Sequence, residues 1–298
     1  MRRLALVLVA LAALWVALAP PAAAHGEGDA EAPATNLRTR ITSVDPAVDG
    51  VEWRMVDAGA RIEVRNETDT DLVVLGETGE PFLRVGPDGV HENTRSVTAF
   101  RLANPDPGVP VPQEVLEGGE PEWEEVSSAR AYAWHDDRAH WADPEPGGSD
   151  EVDLIPEWSI DATWGDAPMV VTGDVTWVPP PPVWPSLLVT VVVTALVGGL
   201  AALRRYGIAV TVAGALAVCA SVLVELGSWW GSAGSAFTKV EGFMLPALAW
   251  LLLVAAIVRF SAAPQESVLL SAGACAGIAV LLGVSGWSWL GRSQIPAA

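Results

Sequence analysis

Trp134–Trp141 reads W-H-D-D-R-A-H-W, and it holds the residues best suited to chemistry. Two of the chain's four histidines, two aspartates and an arginine fall inside this stretch, with a tryptophan at each end. A neutral imidazole beside a carboxylate is a donor set that suits copper(II) or zinc. If a strand ends at His135 and turns at Asp136-Asp137, His140 opens the next strand and the two imidazoles come close together. The metal-ligand candidates are therefore His135, Asp137 and His140. The structural alternative is that Asp136 or Asp137 pairs with Arg138 while the histidines hydrogen-bond loop carbonyls.

His25 is the fourth candidate ligand. Met1–Ala24 has a basic start, an apolar run from Leu4 to Ala19 and the small-residue end Ala22-Ala23-Ala24, the pattern of a secretory signal. Cleavage after Ala24 leaves His25 at the amino terminus, where one residue offers an amine and an imidazole to copper(II). Residues 25–36 are small and acidic and are expected to be mobile. The chain has no methionine-rich copper(I) motif.

Charge is divided unevenly along the chain. Between His25 and Val183 there are ten Arg, no Lys and 33 Asp plus Glu, so 10 − 33 = −23. Such a segment repels nucleic acid and attracts cations or a basic partner protein. No nucleic-acid partner is expected; a metal ion or a basic envelope protein is. The two cysteines, Cys219 and Cys275, both lie in apolar stretches and are expected to be small buried residues. The acidic part thus has no disulfide, and its fold rests on packing.

Leu37–Val178 carries the elements that must position the W-H-D-D-R-A-H-W stretch. Apolar and polar residues alternate in Arg38–Val44, Val51–Val56 and Ala60–Arg65, with V-D-A-G as a turn between the last two. Asn66-Glu67-Thr68 is read as turn chemistry rather than as a glycosylation site. Further strands are expected after Asp71, around Phe82, from near Val90 beyond a Gly86-Pro87-Asp88-Gly89 turn, over Ser96–Leu102 and Ala129–His135, and over Val152–Trp164 and Met169–Val178. Ala103–Glu125 is expected to be a long loop. Roughly seven to nine short strands with frequent turns predict an all-β immunoglobulin-like sandwich.

Trp177–Pro185 (W-V-P-P-P-P-V-W-P) divides the chain. Consecutive prolines continue neither helix nor sheet and favour a stiff extended spacer, here a stalk over residues 179–185. Beyond it lie apolar stretches near 184–203, 207–226, 242–260 and 268–290, each about long enough to cross a bilayer as a helix. Arg204-Arg205 and Arg259 place the intervening loops inside. The expectation is an all-α four-helix transmembrane region over 186–290, an outer tail at 291–298, and a multi-pass protein of the cell membrane with the sandwich outside and the lipid bilayer as partner.

The stretches Pro81–Arg95, W-H-D-D-R-A-H-W and V-T-G-D-V-T-W-V-P-P-P-P resemble a family of exported membrane proteins of actinobacteria that has no assigned activity. In that family the middle motif is W-H-D-H-R-x-H-W, with histidine where this chain has Asp137, so the likeness implies an altered ligand set. There is a fainter resemblance to CopC-type copper-binding proteins, exported β-sandwiches with an amino-terminal histidine. That likeness implies copper(II) at His25.

Enzyme signatures are absent. Ser127 or Ser128 can be written into a triad with His135, but no nucleophile elbow surrounds either serine. The chain has no phosphate loop, dinucleotide fingerprint or H-E-x-x-H. The leading expectation is a non-enzymatic, membrane-anchored extracytoplasmic binding or accessory protein. The alternatives are a metal-free protein–protein module and a transporter subunit, for which Glu225 and Glu241, at the outer ends of the expected helices and not at mid-bilayer, are the acids to test.

Overall fold

A computed structural model describes residues 35–203, scattered positions between 208 and 258, and 292–294. Among the described residues, ten strands form two antiparallel sheets. β1 (Leu37–Asp45), β4 (Leu72–Leu75), β5 (Pro81–Gly86), β6 (Gly89–Asn93), β7 (Trp123–Ser127), β9 (Val152–Trp164) and β10 (Ala167–Trp177) form a seven-stranded sheet in the order β1-β10-β9-β4-β5-β6-β7. β2 (Val51–Val56), β3 (Arg61–Asn66) and β8 (Ala131–Trp134) form the smaller sheet in the order β2-β3-β8. This seven-plus-three arrangement departs from the four-plus-three sheets of an immunoglobulin domain.

The core lies between the sheets. It joins Ile62, Val64 and Trp134 of the small sheet to Leu72, Val74, Phe82, Leu83, Ile160 and Val171 of the large one. Trp134 is the aromatic centre, edge-on to Trp53 at 6.1 Å and to Phe82 at 5.9 Å between ring centroids. Tilted pairs of this kind match the negative face of one ring to the positive edge of the next. Tyr132 adds a polar link between sheets, its hydroxyl donating to Glu92.

Alternation in the sequence sets the strands, but some elements are decided otherwise. Ser96–Leu102, expected as a strand, is helix α1 (Val97–Ala103). Ser96 caps it, its Oγ accepting from the Ala99 N–H at 3.1 Å. The expected loop 103–125 contains a short helix, α2 (Gln113–Glu117), and the first residues of β7. Asn66 is fully buried, and its Nδ2 donates to the carbonyls of Thr70 at 2.7 Å and Val85 at 2.8 Å, so that asparagine serves the turn. Trp177, at the end of β10, is 1% exposed, whereas Trp184 is 64% exposed.

The proline run connects β10 to α3 (Trp184–Ala202). Among the described residues, no helix is long and apolar enough to cross a membrane. That finding overturns the expected four-helix transmembrane region, and with it the multi-pass placement in a cell membrane. α3 comes nearest to the expectation with 19 residues. W-P-S fills its first turn. The expected spans 207–226, 242–260 and 268–290 lie almost wholly outside the described residues. Cys219, expected to be buried, is exposed.

Gly173 shows how tightly the large sheet is built. A Cβ there would overlap both the Trp158 indole and the Arg40 carbonyl, and β10 and β9 fall out of register just beyond that pair. We predict that Gly173→Ala destabilises the fold by about 3 kcal/mol, because neither the backbone nor a buried indole yields cheaply. A urea titration that leaves the midpoint unchanged refutes this.

Candidate functional site

β8 ends at Trp134, and the chain then passes through His135 and Asp136 into a 3-10 turn at Asp137–Ala139. His140 follows this turn and lies outside any strand, since β9 begins only at Val152. The turn still brings the two imidazoles together, with ring centroids 4.7 Å apart and planes tilted by 65°.

One residue locks the turn in place. The Asp136 carboxylate is fully buried at its side chain and accepts from Trp134 Nε1 at 3.0 Å, from the Arg138 N–H at 3.1 Å and from Arg138 Nη2 at 2.8 Å. Arg138 reaches on to the carbonyls of Leu75 at 3.2 Å and Gly76 at 3.3 Å. Burial works against an ionised Asp136, but the bonds and charge of Arg138 outweigh it and hold its pKa below the usual carboxylate range. Asp136 is thus the aspartate that pairs with Arg138, leaving Asp137 on the surface with a side chain 77% exposed.

The β4–β5 hairpin that receives Arg138 is itself pinned. Glu80 accepts from Thr78 Oγ1 at 2.6 Å, Ser96 Oγ at 2.7 Å and the Thr98 N–H at 3.0 Å. Burial alone would raise the Glu80 pKa, yet these donors bring it down to about 2. A Cβ on Gly76 would collide with Glu80 and Thr98, so this turn requires glycine.

The other wall of the site is the turn between β2 and β3. Asp57 and Ala58 have φ of 55° and 57°, and Gly59 follows with φ of 86°. Consecutive left-handed residues that are not glycine are costly. Arg61 holds Asp57 at 2.5 Å, and the Ala60 N–H donates to the Asp57 carbonyl at 3.1 Å. The Ala60 carbonyl then accepts from His135 Nδ1 at 3.0 Å.

That last contact decides the chemistry of His135. A carbonyl oxygen only accepts, so Nδ1 carries the proton. In the neutral ring Nε2 is then a bare lone pair, and it faces Asp137 Oδ1 at 3.3 Å. Two such acceptors can share a cation placed between them. His140 is exposed, and its pKa is lowered first by partial desolvation and then by the neighbouring His135, with Asp137 opposing. A neutral imidazole is the form that binds metals.

His135, Asp137 and His140 are therefore neighbours, whereas His25 lies outside the described residues. Among the described residues, no group of three or more His, Cys, Asp or Glu side chains is already gathered to hold a metal ion. The sequence reading passed over the Ala60 carbonyl and Glu80. The D-A-G turn next to Ala60 was visible as a turn, but nothing in the sequence pairs it with His135. No protein-family model, curated protein or solved structure shows significant similarity to the chain.

Two predictions follow from this geometry. Asp136→Ala strands the Arg138 guanidinium and costs about 3–5 kcal/mol, the usual effect of breaking a buried pair from one side; a loss below about 1 kcal/mol in urea unfolding refutes the locking role. Glu80 has a folded pKa below its unfolded value, so the stability it contributes is complete above about pH 4.5 and is lost as the pH falls toward about 2. Glu80→Gln should flatten the fall of the urea midpoint across that window, and an unchanged slope refutes the assignment.

Proposed function

We propose that this chain is a non-catalytic binding module that takes a borderline divalent cation, copper(II) or zinc, at the turn carrying His135, Asp137 and His140. The observation that carries this reading is the His135 ring. Its Nδ1 is held by the Ala60 carbonyl, and its Nε2 is aimed at a carboxylate that cannot donate. A backbone carbonyl on the far nitrogen is the usual way a protein orients a metal-binding imidazole and fixes its tautomer. His140 supplies a second imidazole within reach of the first. Asp137, largely exposed, is free to turn toward an ion lodged between the rings. Positions that these three side chains leave open would be filled by water or by an incoming donor.

A second reading rests on the same contacts. The histidines serve only to tie the β8 turn to Ala60, a proton rather than a metal lies between His135 and Asp137, and the acidic surface docks a basic protein. The absence of a ready three-ligand group among the described residues favours this alternative.

Copper(II) and zinc titrations of the full chain, followed by calorimetry and, for copper, electron paramagnetic resonance, separate the two. The metal reading expects one ion bound at about micromolar affinity or tighter. His135→Ala and His140→Ala should each weaken binding by about 100-fold, and nitrogen couplings from two imidazoles should appear in the copper spectrum. A His25→Ala variant measures whether the amino-terminal histidine adds to the site. Copper binding that is unchanged in His135→Ala overturns the metal reading.

A further inference from the structure

The segment Arg292–Gln294 lies against the sandwich at the corner where β1 begins and β10 ends. Thr35 and Gln294 form an antiparallel bridge, each N–H donating to the other's carbonyl at 2.9 Å. Ser293 donates its N–H to Asn36 Oδ1 at 3.0 Å and its hydroxyl to the Val178 carbonyl at 3.3 Å. Arg292 Nη1 lies 3.1 Å and 3.3 Å from the two Glu145 oxygens.

Asn36 is the centre of this corner. It is 5% exposed, its Nδ2 donates to Glu145 Oε2 at 3.0 Å, and its carbonyl accepts from the Val178 N–H at 2.8 Å. Among the described residues, the donor that its Oδ1 accepts from is the Ser293 N–H. A buried amide oxygen deprived of its partner carries a full desolvation penalty. The corner is therefore shaped for an extended segment that brings a backbone N–H to Asn36 and a cation to Glu145.

We infer that Arg292–Gln294 is a clasp: a short basic segment that docks in cis on Thr35, Asn36, Glu145 and Val178 and fastens both ends of the stretch 179–291 to one corner of the sandwich. Val178 immediately precedes that stretch and Ser293 lies two residues past its end, and the two are in direct contact. The Arg292–Glu145 pair is partly exposed at both partners and is thus open to screening by salt. The clasp also restrains the segment that follows the histidine turn, because Glu145 lies five residues beyond His140. The inference does not depend on whether that turn binds a metal.

Hydrogen exchange on the full chain tests it. In the wild-type chain the Thr35 and Gln294 amides should be protected. In Arg292→Glu both should exchange at least about tenfold faster while the Ile160 and Val171 amides of the large sheet stay protected. Arg292→Lys, which keeps the charge opposite Glu145, should retain protection at the clasp. Gln294→Pro deletes one clasp N–H far from the core and should give the same local loss without disturbing the sheet. Free-chain exchange of Thr35 and Gln294 in the wild type overturns the clasp, as does exchange that charge reversal leaves unchanged.

Discussion

The buried pair of Asp136 and Arg138 is the interaction on which the candidate site depends. A carboxylate with no exposed surface is tolerable only when its lone pairs are filled, and Arg138, its own backbone N–H and the Trp134 indole fill them. Because Arg138 also binds the Leu75 and Gly76 carbonyls, one charge pair joins the aromatic core, the β8 turn and the β4–β5 hairpin. His135 and Asp137 are the immediate neighbours of Asp136 in the chain. Their positions follow from where Asp136 is held.

The same economy recurs around the site. Glu80 gathers Thr78, Ser96 and Thr98, so the hairpin receiving Arg138 is fastened to the start of α1. The strained turn at Asp57–Gly59 presents the Ala60 carbonyl to His135. Strain of this kind persists only where surrounding contacts over-determine it, and here Arg61 and the neighbouring strands do so. Titratable groups elsewhere pull in the opposite sense. Burial raises the pKa of Glu92 beneath Tyr132, reinforced by Glu124 directly across the β6–β7 ladder, so Glu92 favours the folded state at low pH while Glu80 favours it at high pH.

Much of the sheet was legible because its period is a property of neighbours in the chain. Val51–Val56, Val152–Trp164 and the start of β6 at Gly89 followed from alternation and from the Gly86–Gly89 turn. Ser96–Leu102 was misread, since four consecutive residues of V-T-A-F suit a strand as well as a helix. The choice was made by Ser96 capping α1 while also donating to Glu80, a contact sixteen residues away. The apolar stretch expected at 184–203 is helical, yet among the described residues no helix is long and apolar enough to cross a membrane. α3 ends at Ala202.

What the sequence determined by itself was local: the charge division at the proline run, the strand periods, the turns at Asn66 and Gly86, and the concentration of imidazoles and carboxylates between Trp134 and Trp141. Tertiary structure decided which aspartate is buried, which nitrogen of His135 carries a proton, and that residues 292–294 meet Asn36 and Val178. The reason is physical. Alternation and turn propensity act over a few residues along the chain, whereas the state of a carboxylate or an imidazole depends on groups brought to it from distant strands, such as Ala60 for His135 and Leu75 for Arg138.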